Sequence, residues 1–345
     1  MSNQQAPPTI SELPDDIKHS IFEYVDIRSR CSIRQCCKDF KTAIENTVIH
    51  FESLLFDWNC EERCIRLSAT PHGLPAITLD FHDRFPNGFI VTHHNQGSGK
   101  VITTGNFIDA AVEKFVKLLA RFQKIRVKRL EINFRDYFER SEQLQTDQQQ
   151  ILNSLEKCLM HLNRLVSVKE LVMRTDPNQH DILRVLRFLK PATLESITLR
   201  PRNVIFSVST VHHIDLDSVA TTPQWRNAKV LKLEPYYLPS SDTSNFETIT
   251  GNLSFFQNNE VERCIQNFLL HNNWKERIFR CIGMNFKALT HYLIRNGFLK
   301  IKDDSIGLGE TNEVYSLHRG DTEVRIRLCH RYLVKKVVIW NPQNL

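Results

Sequence analysis

The sequence predicts an α+β / α/β protein in which a small N-terminal helical module is followed by an irregular α/β solenoid with a β-rich C-terminal end. Three observations predict it. Near the N-terminus apolar residues recur every three to four positions in short stretches; between Phe51 and Thr104 the period drops to two; from Phe107 onward helical stripes alternate with short strand-like runs. With 345 residues, and about 150 per domain, two or three units can each bury a core. The chain is 41% hydrophobic and 24% charged, an ordinary globular composition. No run approaches the roughly 18 consecutive apolar residues of a spanning helix, which excludes a transmembrane chain of that kind. The first residues, Met1 to Pro8, show neither a basic nor an apolar leader segment, so the expected compartment is cytosol or nucleus.

Residues 1–10 are polar and contain proline, and they read as a disordered tail. In the segment Leu13 to Val25, Pro14 falls where a helix start tolerates it, Asp15 and Asp16 favour the positive end of the dipole, and Ile17, Ile21 and Val25 recur every four residues. Asp26 can cap a second helix. A third opens at Cys36 and Cys37, with Phe40, Ile44 and Val48 four apart. A three-helix unit this small seldom owns a sufficient core, so its apolar surface should be shared with the next domain or with a partner.

Short β-runs follow at Ile65 to Leu67, Ile77 to Phe81, Phe89 to Thr92 and Val101 to Thr103, separated by Pro, Asn and Gly turns; residues 49–106 form a β-rich connector. The stripe Phe107, Ala111, Phe115, Leu118, Leu119, Phe122 then leads into the strand Val127 to Ile132. A second helix carries Ile151, Leu152, Leu155, Leu159 and Leu162 behind a capping box at Asp147 to Gln150, and leads into Val168 to Met173. A third pair is Ile182 to Leu189 and Leu194 to Leu199, and a fourth strand is Ala228 to Leu233. The first core positions of the four strands, Leu130, Leu171, Ile197 and Leu231, lie 41, 26 and 34 residues apart, each with room for a helical crossover. Such an irregular repeat fits a curved solenoid resembling leucine-rich repeats, or equally an open α/β sheet. Helices around Val261 to Leu269 and Phe286 to Leu293 follow. The closing strand Val324 to Leu328 turns apolar residues to one side and arginines to the other.

Leu13-Pro14-Asp15-Asp16-Ile17, then Ile21-Phe22, Arg28-Ser29-Arg30, and Cys36-Cys37-Lys38-Asp39-Phe40 with Ile44 together resemble the F-box, the helical module that docks onto the Skp adaptor of cullin-based ubiquitin ligases. The resemblance covers about residues 11–48. Cys31 stands where a larger aliphatic residue is common in that family, and Cys36 where Val is common. The resemblance implies that Leu13, Pro14, Ile17, Ile21, Phe22, Ile33 and Phe40 are the adaptor-facing and core positions. Within the α/β region 107–345, residues from 107 to about 330 resemble the F-box-associated FTH domain of a large group of nematode proteins. This rests on Phe115 to Leu119, Val127 to Leu130, Gln224-Trp225-Arg226-Asn227-Ala228-Lys229 and Glu323 to Arg327. It implies that the C-terminal region recruits a protein target; the basic residues Lys128, Arg129, Lys169 and Lys229 are the candidates for target binding.

The function expected from these resemblances is that of a non-catalytic substrate-recognition subunit with a Skp-family adaptor, a cullin scaffold and an unidentified protein target as partners, and with no cofactor. Catalytic signatures are poor. Gly97-Ser98-Gly99-Lys100 has Val101 where a P-loop needs Ser or Thr and reads as a hairpin turn; Gly307-Leu308-Gly309 lacks the third glycine of a dinucleotide site. Nine cysteines, an odd and scattered set, point to buried apolar groups rather than disulfides; only Cys60 and Cys64 have ligand spacing, without a second pair, so no metal is expected. The rival reading comes from charge. The net charge is +6; six basic residues and one acid lie between Arg121 and Arg135, and six basic and two acidic between Arg319 and Lys336. A basic solenoid could hold nucleic acid or an acidic protein partner, although no RNA-binding or zinc-finger signature accompanies it.

Overall fold

The computed structural model describes residues 13–25, 27–84, 88–94, 99–120, 124–135, 142–162, 164–175, 179–201, 214–237, 243–253, 275–281, 286–306, 310–319, 322–331, 334–340 and 342. The expected tail at 1–10, the Asp26 cap, Phe122, Gly97-Ser98, the helix at 261–269 and Gly307 to Gly309 lie outside the described residues. The protein is mixed α/β, and its backbone forms two units, Met1–Lys169 with Phe188–Lys190, and Glu170–Arg187 with Pro191–Leu345. Among the described residues no helix is long and apolar enough to cross a membrane.

The first unit opens with three helices, α1 (Asp15–Tyr24), α2 (Ile27–Ile33) and α3 (Lys38–Asn46). Pro14 occupies the position before α1, and its carbonyl accepts the Lys18 N–H at 3.0 Å. Cys37 caps α3, its Sγ accepting from the Phe40 N–H at 3.5 Å. Phe22 meets Phe40 edge to face at 6.0 Å, and Phe22, Ala43 and Ile44 are buried. Buried Arg30 donates from Nε to the Val25 carbonyl at 2.7 Å, which satisfies the end of α1. The inward face of α1 is the side of Lys18 and Phe22, not the expected stripe: Ile17 is 44% exposed and Ile21 half-buried.

Six strands follow in this unit: β1 (Ile49–Asn59), β2 (Cys64–Pro71), β3 (Ile77–Arg84), β4 (Gly88–His93), β5 (Gly99–Thr104) and β6 (Ile125–Arg135). Their order is β6-β1-β2-β3-β4-β5, with β1 parallel to β6 and the remaining pairs antiparallel. Alternation decides the faces. Leu54, Phe56 and Trp58 point to a core closed by α4 (Phe107–Ala120), with Phe56 against Phe115 at 5.6 Å and Trp58 against Phe107 at 5.7 Å. Between β5 and α4 the chain reverses at Gly105, whose φ of +116° favours glycine, and the Asn106 side chain then accepts the Ile108 N–H at 2.8 Å.

Helix α5 (Glu142–Met160) packs on α4 through buried Ile151, Leu152 and Leu155, with Ser154 donating to Asp109 at 2.9 Å. It begins before the expected capping box. Asp147 is therefore a mid-helix residue, buried and 3.8 Å from Arg63, rather than a cap.

The second unit holds β7 (Ser167–Thr175) from Glu170 onward, then β8 (Ser196–Pro201), β9 (Val230–Tyr237), β10 (Thr248–Leu253) and β11 (Glu276–Cys281), as successive parallel neighbours. Helix α6 (Gln179–Leu186) lies between β7 and β8, and the short helices α7 (Asp217–Ala220) and α8 (Pro223–Asn227) between β8 and β9. Leu171 pairs with Ile197, Ile197 with Leu231 and Leu231 with Ile249 in one row, and the first three are fully buried. On β7 the run Leu171, Val172, Met173 is buried on both faces, as a covered parallel strand requires. The sheet continues antiparallel from β11 through β15 (Val334–Trp340), β14 (Thr322–Arg331) and β13 (Glu310–Arg319) to β12 (Leu299–Ile306), with α9 (Phe286–Arg295) preceding β12. On β14, Val324, Ile326 and Leu328 are buried while Arg327 is exposed, as the alternation predicts.

Candidate functional site

The seven positions at the N-terminal helices range from buried through half-buried to exposed. Phe22 is interior at 2% exposure, and Phe40, half-buried, is its ring partner. Pro14 and Ile17 are exposed, while Leu13, Ile21 and Ile33 are half-buried. The stripe Leu13, Pro14, Ile17, Ile21 thus lines the outside of the helix start and of α1, with the module's own core behind it at Phe22 and Ile44. It is apolar surface that its own helices do not cover, next to Asp15 and Asp16, both exposed.

The basic run on β6 is largely neutralised in place. Lys128 donates to Glu52 at 3.0 Å, Arg129 to Glu131 at 2.9 Å, and Arg135 is held by both oxygens of Asp57. Two of these acids lie on β1, the parallel neighbour, so they were far outside any sequence window over β6. Hydrogen bonds from His72 and Lys128 hold the Glu52 carboxyl below the usual carboxylate range. In the C-terminal run, Arg325 grips Glu323 at 2.6 and 3.1 Å, and Arg327 lies over the Trp340 ring at 5.3 Å.

The four target-binding candidates are exposed or half-exposed. Lys128, Arg129 and Lys169 lie in the first unit and Lys229 in the second. Lys128 and Arg129, as neighbours in a strand, point to opposite faces of the sheet. Lys229 shares Glu247 with Lys275, at 3.1 and 2.8 Å, and the Lys275 and Lys229 hydrogen bonds lower the Glu247 carboxyl against the opposing effect of burial.

The segment Gln224 to Lys229 has a structural explanation. Thr222 caps α8, with Pro223 opening its first turn and the Trp225 N–H bonding Thr222 Oγ1 at 3.2 Å. Trp225 is 1% exposed and stands perpendicular to Phe246 at 4.8 Å. Asn245 donates to the carbonyls of Trp225 and Ala228 at 2.7 and 3.1 Å and so closes the helix end. The motif is a core staple that leaves Lys229 at the surface.

One buried polar constellation was missed by local reading. In register, Asn133, Asp57, Arg66, Asp80 and Thr92 form a row across β6, β1, β2, β3 and β4. Arg66 donates to both Asp80 oxygens at 2.8 Å, and His94 Nε2 lies 2.8 Å from Asp80 Oδ2. Burial works to raise the Asp80 carboxyl, but the hydrogen bonds of Arg66 and His94 outweigh it and hold the group below its ordinary value. Alongside, the donor atoms of Cys64, Asp80 and His82 lie within 4.8 Å of one another, the arrangement among the described residues that could hold a metal ion. Two facts tell against that use. Arg66 already occupies both carboxylate oxygens, and burial together with Asp80 pushes the Cys64 thiol up to about 12, far from the thiolate a metal needs. The constellation is an ion-paired strand contact, and it signals no chemistry of bond breaking.

Comparison with known families places both modules. Residues 10–52 match the F-box domain, which includes the stripe on α1, and residues 149–293 match the FTH domain, which includes Trp225 and its staple. The FTH match is narrower than the extent expected from sequence, since Phe115 to Leu119, Val127 to Leu130 and Glu323 to Arg327 fall outside it. No curated protein matches the chain. In general an F-box indicates an SCF-type substrate-recognition role; such domains typically bind a Skp adaptor, and their carriers are generally non-catalytic. The chain is an F-box protein with a C-terminal FTH domain.

Proposed function

We propose that this chain is the substrate-recognition subunit of a Skp-cullin-F-box type ubiquitin ligase, working in cytoplasm or nucleus, that bridges adaptor and target. The observation that carries the reading is the uncovered apolar stripe Leu13, Pro14, Ile17, Ile21 on a module that matches the F-box. In this reading residues 11–48 form a three-helix F-box that docks on the adaptor, 49–106 connect, and 107–345 recruit the target. The in-register parallel strands β7 to β11 support an irregular, leucine-rich-repeat-like stack whose surface side chains can vary without disturbing its core. The mechanism is proximity. The chain holds the target near a ubiquitin-charged enzyme on the cullin, raising effective concentration without contributing a reacting group.

The rival nucleic-acid reading loses support from the pairing of Lys128, Arg129 and Lys229 with carboxylates, which would have to be displaced by phosphates. The test is Leu13→Ala with Pro14→Ala in the full chain. The double variant should lose adaptor and cullin on affinity purification while retaining whatever target the C-terminal region holds. Undiminished adaptor recovery, or a wild-type chain that never captures it, overturns the proposal.

A further inference from the structure

The outermost strand of the first unit's sheet is β5 (Gly99–Thr104), whose hydrogen-bonded neighbour is β4. Its pairing with β4 is regular from Gly88 opposite Thr104 to His93 opposite Gly99, with no bulge. Val101 and Ile102 are 53% and 66% exposed, and Thr103 and Thr104 are exposed as well. The run Val101-Ile102-Thr103-Thr104 is β-branched throughout and carries neither charge nor proline. Such an edge presents alternate backbone N–H and C=O groups to any strand of matching register. Strand β12, the outermost strand of the second unit's sheet, also exposes apolar residues, Leu299 and Ile301, but it alternates them with Lys300 and Lys302 and breaks register between those lysines. Those are devices by which a sheet edge repels its own kind, whereas β5 carries a single lysine, Lys100, near its start and no break in register.

We propose that β5 is a homodimerisation edge, to which a second copy of this chain adds its own β5 antiparallel about a two-fold axis at Ile102. Symmetry narrows the register. An axis perpendicular to the sheet keeps each face continuous, so it must pass through a residue position, and at Ile102 it sets Ile102 opposite Ile102 and Val101 opposite Thr103. The one charged position of the strand, Lys100, then stands opposite Thr104, so no position meets a like charge. With one cation beside four neutral β-branched residues, the strand has little charge with which to choose an acidic or a basic peptide, whereas in this register it is complementary to itself. Six residues a side bury roughly 200 Å² per partner, far below a permanent interface, so the dimer is reversible and concentration-dependent. It would pair two adaptor modules on one assembly and raise the avidity for a target with repeated sites.

Sedimentation equilibrium of the full-length chain at rising concentration tests this, with Ile102→Lys as the disrupting variant and circular dichroism to check its fold. Two cysteine variants, Ile102→Cys and Val101→Cys, are treated with diamide, which takes two hydrogens from a thiol pair as the S–S bond forms. Wild type should show a monomer–dimer equilibrium that Ile102→Lys weakens at least tenfold. Ile102→Cys should form disulfide-linked dimers well above the wild-type level, because on-axis Cα atoms lie about 4.5–5.5 Å apart, within disulfide range, and Val101→Cys should not. A wild type that stays monomeric throughout, or equal cross-linking of the two cysteine variants, overturns the proposal. The cross-linking pair keeps the test decisive even if Ile102→Lys fails to fold.

Discussion

Phe22 and Ile17 lie five residues apart on one short helix, in opposite environments. Phe22 is 2% exposed and packs on Phe40, so Phe22→Ala should cost about 3–5 kcal/mol of module stability. Against a marginal stability this shifts the folded-to-unfolded ratio by roughly two to four orders of magnitude. Ile17 is 44% exposed, and Ile17→Ala should change stability by less than about 1 kcal/mol. If the adaptor covers that exposed part, about 80 Å² at roughly 25 cal/mol per Å² gives up to about 2 kcal/mol, or roughly 30-fold in Kd.

Guanidinium unfolding and calorimetric titration with purified Skp adaptor separate the two effects. Ile17→Ala should keep the wild-type unfolding midpoint and lose affinity. Phe22→Ala should lose midpoint first, and affinity only as a consequence, so that stabilising the module at lower temperature recovers part of its binding. The reasoning is refuted if Ile17→Ala lowers the midpoint as far as Phe22→Ala does while adaptor affinity stays unchanged, for then the helix presents its other face.

Acid stability should report Asp80. Its folded value is depressed, so its contribution is fully present above the ordinary aspartate range near about 3.9 and is lost as pH falls through the folded value; Asp80→Asn should lower stability at neutral pH and flatten the acid limb, and two parallel pH curves would contradict the assignment. Protein purified without chelators should hold far less than one equivalent of zinc, and iodoacetamide should label exposed Cys36 and Cys37 well before buried Cys64, whose thiol is pushed up to about 12; a stoichiometric amount of zinc, lost in Cys64→Ser, would mean that Arg66 yields Asp80 to a metal.

Periodicity read the repeat core well, because buried parallel strands announce themselves locally. Leu171, Ile197 and Leu231, aligned from spacing alone, are register partners in one row. The helix at α1 was legible in position but not in orientation. Its inward face includes Lys18, 8% exposed, whose aliphatic stem packs while the ammonium reaches Asp15 at 3.4 Å; a pattern that scores lysine as polar therefore turns the helix the wrong way. The apparent box at Asp147 failed for a different reason. The helix had already begun at Glu142, and a tertiary partner, Arg63, made a buried mid-helix aspartate tolerable. The pairing of β1 with β6, with Phe51 opposite Val127, has no local signature, since α4 and four strands intervene in the chain.

That pairing also bears on how the two proposed surfaces work. Counting charge along β6 gives a strongly basic segment, yet its cations are answered by Glu52 and Asp57 on the neighbouring strand. A target carboxylate at Lys128 must share or displace Glu52, so it gains only the difference between two exposed ion pairs, a fraction of a kcal/mol. Charges of this kind orient an approaching partner and exclude wrong ones more than they add affinity. The stripe on α1 is the opposite case: exposed apolar surface with no internal partner gains its full transfer free energy when covered, and salt barely affects it. Affinity for a shared adaptor is therefore best placed in the apolar stripe, and discrimination among targets in the paired charges. On these grounds adaptor binding should persist in salt that weakens target capture.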